Sequence, residues 1–248
     1  MNRDFLCELA ATANVFLFRK FDAEEAEPAA ALFPLLGIIA GFLFTLAAWT
    51  ATVLFGHLTA ALLAAILFPL LYEIATNWSG LRNLTSFLAM RAGNLPIALA
   101  LTKQAEPERK LTPVFVFVSL YLLRMTAFGM IAFHRPAVFL YVFPGAYFIR
   151  AELTGYGADG EIPLLEIPEE KRLLPATLTG AAFAVTALLS FHLATIAAGI
   201  LTAFAAFLIL RVQQRSIRLH TGRATLRQIH IYGAAAELLL LYTGTIVL

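Results

Sequence analysis

The side chains with the clearest potential for chemistry are three ionisable residues inside otherwise apolar stretches. Glu73, Arg124 and Glu237 each lie among runs of Leu, Ala, Ile and Phe. A charge within such a stretch is costly, so these residues either serve a function or neutralise one another. Both interpretations are open from the sequence: a functional group in the interior, or a buried structural ion pair of Arg124 with Glu73 or Glu237.

A second group consists of basic and polar side chains in the stretches between the apolar runs. Arg82, Arg91 and Arg227 are candidates for binding a phosphate, because a guanidinium group can donate two parallel hydrogen bonds to phosphate oxygens. Glu73 and Asn77, at the end of an apolar run, are further candidate ligand-binding residues. The alternative is that the basic side chains only orient the chain in a membrane and attract anionic lipid headgroups.

The composition indicates which elements must position these side chains. The chain of 248 residues is 60% hydrophobic and 14% charged, with a net charge of +2 and a single cysteine. A soluble domain carries about 25% charged residues, so this chain has too little polar surface to be one. The apolar composition also excludes a disordered protein, and the single cysteine excludes a disulfide-rich one. We expect no nucleic acid among its partners. The prediction is one all-α domain, residues 1–248, forming a polytopic bundle of membrane helices.

Seven apolar stretches are candidates for membrane spans, each of which takes about 20 residues. They are residues 32–55, 58–78, 111–133, 136–149, 173–191, 193–210 and 229–248. The fourth has only 14 residues and is predicted either as a tilted span or as a re-entrant segment.

The distribution of basic residues predicts the orientation of the bundle. If the spans alternate, the polar regions 1–31, 79–110, 150–172 and 211–228 share one side, and they hold 16 of the 18 lysines and arginines. The positive-inside rule places this side in the cytoplasm, so the amino terminus is predicted to be cytoplasmic and the protein to lie in the cell (inner) membrane. The opposite connections are only a few residues long, so we expect ligands to bind at the cytoplasmic face. Residues 5–18 are predicted as an interfacial amphipathic helix.

Four short segments resemble, in order, those of the cobalamin synthase family, the integral-membrane adenosylcobinamide-GDP ribazoletransferases. The segments are residues 16–19 (FLFR) with 33–37 (FPLLG), residues 77–87 (NWSGLRNLTSF), residues 90–91 (MR) and residues 222–237 (GRATLRQIHIYGAAAE). In the last one Gly233, Ala234 and Glu237 match the family pattern. The second resembles the family's HLDGLADTADG segment. The resemblance extends over the whole chain with the same layout of spans.

The resemblance implies an activity that joins adenosylcobinamide-GDP to alpha-ribazole or its 5′-phosphate, releases GMP and uses Mg²⁺. The positions that correspond to the family's aspartates hold Ser79, Asn83, Ser86, His230 and, directly after the third segment, Ala92. Mg²⁺ is bound through carboxylates and phosphates, and hydroxyl or amide groups supply no negative charge. Arg82, between two of these positions, would repel a cation further. We therefore predict no metal site at these positions.

Two hypotheses follow for the function. In the first, the chain is a divergent member of the family that binds a phosphate-bearing corrinoid or nucleotide at the cytoplasmic face without Mg²⁺. Its partners would be membrane lipid and other membrane-bound proteins of cobalamin assembly. In the second, it is a non-catalytic membrane scaffold or partner subunit. Whether any reaction is catalysed stays open.

Two further alternatives are weaker. Glu73, Glu152, Asp159 and Glu161 could form a relocated metal site, although a flexible, solvated loop is the simpler interpretation of residues 152–161. A transporter is poorly supported, because its ion path would have few charged groups beyond Arg124 and Glu237.

Overall fold

The computed structural model describes residues 30–76, 78–102, 111–157, 164, 167–190 and 192–246, and these contain no β-strand. The α-helices among them are α1 (Phe33–Phe55), α2 (His57–Ala75), α3 (Ser79–Ala92), α4 (Ile97–Thr102), α5 (Leu111–His134), α6 (Phe139–Thr154), α7 (Leu174–Ser190), α8 (Leu193–His220) and α9 (Leu226–Thr245). Short 3₁₀ turns occupy Ala30–Leu32, Pro136–Val138 and Glu169–Lys171. The all-α class predicted from the composition is confirmed for this part of the chain.

Five helical segments of the described chain are long and apolar enough to cross a membrane. They are Ala30–Phe55, His57–Ala75, Thr112–His134, Glu169–Ser190 and Leu193–His220. They coincide with the first, second, third, fifth and sixth predicted spans. Helices α6 and α9 form where the fourth and seventh spans are predicted but are not among the five, so the total of seven spans and the cytoplasmic amino terminus stay predictions.

Helix α6 lies at the centre of the bundle. Of its 16 residues, 13 are buried, because α1, α7, α8 and α9 pack around it. The contact with α1 is a close approach of two backbones: a Cβ at Gly37 would lie 2.6 Å from the carbonyl oxygen of Phe143. Small residues permit such contacts between apolar helices. The glycine of the FPLLG segment therefore has a packing role.

The core between α1, α2, α5 and α6 is aromatic. The ring centroid of Phe44 lies 5.0 to 5.9 Å from those of Phe68, Phe128, Phe139 and Phe143. Rings at these separations contribute about 0.5–1.5 kcal/mol per pair beyond their burial. The outward faces of the same helices carry exposed Leu, Ile, Val and Phe side chains, as expected of surfaces that contact lipid tails.

Three regions predicted as cytoplasmic loops are partly helical. Residues 79–110 contain α3 and α4, because Leu81 and Leu84 are buried against α9. Helix α8 continues through His220 into the predicted loop 211–228. Helix α6 continues through Thr154, so Arg150 belongs to the bundle interior and not to a loop.

Candidate functional site

Residues 79–87, which belong to the second of the four short segments, lie in α3, and this helix packs against α9. Gly80 permits this contact, since a Cβ there would lie 3.2 Å from the Cβ of Ala234. Among the positions that correspond to aspartates, Ser79 and His230 are buried at or near this junction. Asn83 and Ser86 are half-buried. We refer to this contact of α3 with the first turns of α9 as the α3–α9 junction.

Arg227 connects the two helices at this junction. Its Nη2 donates to the Oγ of Ser86 at 3.3 Å and to the carbonyl oxygen of Ala100 at 3.5 Å. The structure thus brings together two residues that the sequence analysis singled out separately. Among the described residues, no acceptor lies within hydrogen-bond distance of the buried Nε of Arg227. Partial burial lowers the pKa of the Arg227 guanidinium, and an arginine side chain stays protonated in proteins at neutral pH.

The position of Arg227 is fixed by the way α9 begins. The Oγ1 of Thr225 accepts a hydrogen bond from the backbone N–H of Gln228, and the Oε1 of Gln228 accepts one from the N–H of Thr225 at 2.8 Å. Such a capping box satisfies donors that the first helical turn otherwise leaves open. The Nε2 of Gln228 also donates to Thr221 at 3.1 Å. The first turn of α9 is therefore anchored on both sides of Arg227.

The other predicted ligand-binding residues are distributed unevenly around the junction. Arg82 is exposed on α3. Arg82 and Arg150 are both close enough to the buried His230 to interact with it electrostatically. Arg91 lies about 13 Å farther along α3, where it is exposed and donates to the carbonyl oxygen of Leu95. The structure thus brings Arg82, Arg227, Ser86 and His230 to one junction and leaves Arg91 at the opposite end of α3. Asn77 lies outside the described residues.

The donor set of the junction does not suit a divalent cation. Among the described residues, no group of three or more His, Cys, Asp or Glu side chains is placed to hold a metal ion. Arg82 and Arg227 instead supply positive charge, which repels Mg²⁺. Of the alternative relocated site, Glu73 is buried in the interior and Glu152 lies at the end of α6. Asp159 and Glu161 fall outside the described chain.

A separate network of buried charges joins four helices. Glu73 of α2 forms an ion pair with Arg124 of α5. The Nη2 of Arg124 lies 3.0 Å from the Oε1 of Glu237 on α9, and the Nη2 of Arg150 on α6 lies 3.2 Å from its Oε2. The hydroxyl of Tyr72 donates to the same Oε2 at 2.6 Å. The structural ion pair considered from the sequence is therefore present, and it includes both glutamates.

Arg150 is the member of this network that sequence reasoning missed, since it was assigned to a loop. Its side chain crosses α9 at Gly233, where a Cβ would overlap its Nε. The guanidinium carbon of Arg150 lies 4.7 Å from the ring centroid of Tyr147, one turn earlier in α6. The available signal was charge balance, because two interior glutamates and one interior arginine leave one negative charge unmatched.

Two of the cavities lined by described residues lie away from the junction. An apolar cleft of about 550 Å³ between α1 and α2 ends at Tyr72 and Tyr147. A more polar cavity of about 600 Å³ is lined by Glu152, Arg172 and Gln214 among others. Burial raises the pKa of Glu152, and Arg172 opposes this effect. Neither cavity is lined by a residue of the junction.

Comparisons with known proteins add nothing to this geometry. No protein family, curated protein or solved structure matches the chain.

Proposed function

We propose that this chain is a divergent membrane protein of the cobalamin synthase type that binds a phosphate-bearing nucleotide or corrinoid at the α3–α9 junction, on the cytoplasmic face and without a divalent cation. The observation that carries this proposal is the contact of Arg227 with Ser86. Where the resembling family is expected to hold aspartates, this junction offers hydroxyl groups and guanidinium groups. These groups can donate hydrogen bonds to phosphate oxygens directly.

Arg227 is the principal ligand-binding residue in this proposal. Within the part of the chain that the structure describes, its buried Nε has no hydrogen-bond partner, and a buried donor left in this state costs about 1–3 kcal/mol. A phosphate oxygen at the junction would accept from this Nε and recover that energy. Arg82, exposed on α3, would neutralise a second phosphate charge. Ser86 acts as a positioning residue, because it holds the other end of the Arg227 guanidinium.

Nucleotide binding by the purified full chain in detergent tests the proposal. We expect GDP to bind equally with Mg²⁺ and with EDTA, because no carboxylate group at the junction supports a metal. The variant R227Q should weaken binding at least tenfold, which corresponds to the loss of about 1.4 kcal/mol or more. Isothermal titration calorimetry measures both effects.

The matched control is R223Q. Arg223 is an exposed arginine that precedes α9 and lies outside the junction. It should bind GDP as tightly as the unchanged protein. A strict requirement for Mg²⁺, or equal loss in R223Q and R227Q, would contradict the proposal. Release of GMP from adenosylcobinamide-GDP and alpha-ribazole in the presence of Mg²⁺ would assign the family reaction instead.

A second candidate function is that of a non-catalytic scaffold or partner subunit for membrane-bound proteins of cobalamin assembly. The observation in its favour is the self-neutralised network of Glu73, Arg124, Glu237 and Arg150, which stabilises a shape without leaving a charge for catalysis. This function requires that the folded protein bind neither GDP nor adenosylcobinamide-GDP. The double variant S79A/N83A would then retain its cellular role.

A further inference from the structure

The polar cavity of about 600 Å³ lies where α6 ends and α8 continues beyond its apolar residues. Glu152 from the last turn of α6, Gln214 of α8 and Arg172 after a short 3₁₀ turn contribute polar groups to its wall. Binding sites for small molecules have volumes of about 300–1,000 Å³ and a few polar groups that fix the orientation of the ligand. The size and the lining of this cavity therefore suit a small polar molecule.

The segment that carries Arg172 packs on the end of α6. A Cβ at Gly155 would lie 2.9 Å from the Cδ1 of Ile167, so the two segments are in close contact. The backbone N–H of Arg172 donates to the carbonyl oxygen of Glu169 at 3.2 Å. This packing holds the turn that precedes Arg172 against the end of the helix that carries Glu152.

Glu152 and Arg172 carry opposite charges on the wall of one cavity, but they are not in contact. The positive charge of Arg172 acts on the Glu152 carboxylate, so the two groups are close enough to interact electrostatically. Among the described residues, however, neither side chain takes part in an ion pair. Two opposite charges that share a cavity in this way leave room for a ligand that carries both signs.

The position of Glu152 is costly as long as no cation contacts it. The residue lies in the last turn of α6, where the helix dipole is negative and disfavours a further negative charge. Its side chain is half-buried, so water solvates the carboxylate only in part, and this burial raises the pKa of Glu152. A positively charged group against the carboxylate would offset both effects.

We infer that this cavity binds a small zwitterion of the amino acid type, with its ammonium group against Glu152 and its carboxylate against Arg172. A guanidinium group can donate two parallel hydrogen bonds to a carboxylate. The amide of Gln214 can both donate and accept hydrogen bonds, so it suits either end of the ligand. Ile167 and Pro168 line the same cavity and offer apolar surface to an aliphatic side chain.

The charge of the cavity distinguishes this site from the α3–α9 junction. Glu152, Glu169 and Arg172 give its wall a net charge of −1, which disfavours a nucleotide or another ligand with several phosphate charges. No residue of the junction lines the cavity. The inference is therefore independent of nucleotide binding at the junction.

The test compares L-leucine with two singly charged analogues by isothermal titration calorimetry of the purified full chain in neutral detergent. Leucinamide keeps only the ammonium group, and N-acetyl-leucine keeps only the carboxylate. We expect L-leucine to bind about tenfold more tightly than either analogue, because it alone supplies a partner to both charges of the cavity. O-phosphoethanolamine, which joins an ammonium group to a phosphate as some lipid headgroups do, should bind more weakly than L-leucine.

Two variants assign the two ends of the ligand. E152Q should abolish the advantage of L-leucine over N-acetyl-leucine, because the ammonium group loses its partner. R172Q should abolish its advantage over leucinamide, because the carboxylate loses its partner. The matched control is E170Q, since Glu170 is exposed and does not line the cavity. It should bind L-leucine as tightly as the unchanged protein.

Binding of L-leucine should persist in R227Q, and binding of GDP should persist in E152Q, so failure of this inference is distinguishable from failure of the proposed nucleotide site. If E152Q does not fold, R172Q at an exposed position still decides the outcome. The inference is overturned if L-leucine does not bind, if it binds no more tightly than its two analogues or than O-phosphoethanolamine, or if E152Q and E170Q lose affinity equally.

Discussion

At the scale of single residues, the interior of this protein is governed by charge neutralisation. Two arginines and two glutamates alternate in sign through a buried network. Each charge alone would pay a large desolvation penalty, which the opposite charges on either side of it offset. Glu237 is the central residue of the network, because it contacts Arg124, Arg150 and Tyr72. The network explains why these ionisable residues are tolerated at depth.

The variant E237Q should destabilise the protein by about 3–5 kcal/mol, because it leaves Arg150 without its carboxylate and Arg124 with only Glu73. The double variant E237Q/R150M should be more stable than E237Q alone, since it restores neutrality. Denaturant unfolding in mixed micelles measures both. If E237Q is as stable as the unchanged protein, or the two substitutions lose stability additively, the network is not the neutral unit described.

At the scale of elements, the decisive contact is the one between α3 and α9. Helix α3 is amphipathic and is held by the burial of Leu81 and Leu84 against α9 and α5. Gly80 sets how closely the two axes approach. The capping box at Thr225 and Gln228 sets where α9 begins. Together these features decide whether Arg227 can reach Ser86.

The variant G80L should separate α3 from α9, because its side chain needs space that Ala234 occupies. Overpacking of this kind costs about 1–3 kcal/mol, so we expect a lower Tm and weaker GDP binding. G180L is the matched control, since a Cβ at Gly180 meets nothing within 4 Å. Both properties should be unchanged in G180L. Unaltered GDP binding in a folded G80L protein would place the ligand elsewhere.

At the scale of the whole molecule, apolar side chains lie outside and charged side chains lie inside, which is the reverse of a soluble protein. Apolar side chains cover the outward faces of the long helices, and ion pairs lie within. This arrangement suits a hydrocarbon solvent, in which surface charges cost more than paired interior ones. Helices α6 and α9 are shielded by their neighbours and need not be as apolar as the five longer ones.

The predicted orientation is testable by labelling single cysteines in a background in which Cys7 is replaced by Ser. If seven spans alternate, R223C should react with an impermeant maleimide only after the inner membrane is opened. H192C, at the opposite end of α8, should react in spheroplasts whose outer membrane is opened and whose inner membrane is intact. Labelling of both positions from the same side would contradict the alternating arrangement.

The positions of the long apolar helices were determined by the sequence alone, because runs of apolar residues of membrane-spanning length have few other stable conformations. The first span was predicted as residues 32–55 and forms as Phe33–Phe55. The interior charges were also visible, since Glu73, Arg124 and Glu237 interrupt these runs. Only the tertiary structure showed that Arg150 completes their neutralisation and that Arg227 meets Ser86. These partners lie 87 and 141 residues apart along the chain, and it is the packing of helices that brings them together, which no local pattern of residues records.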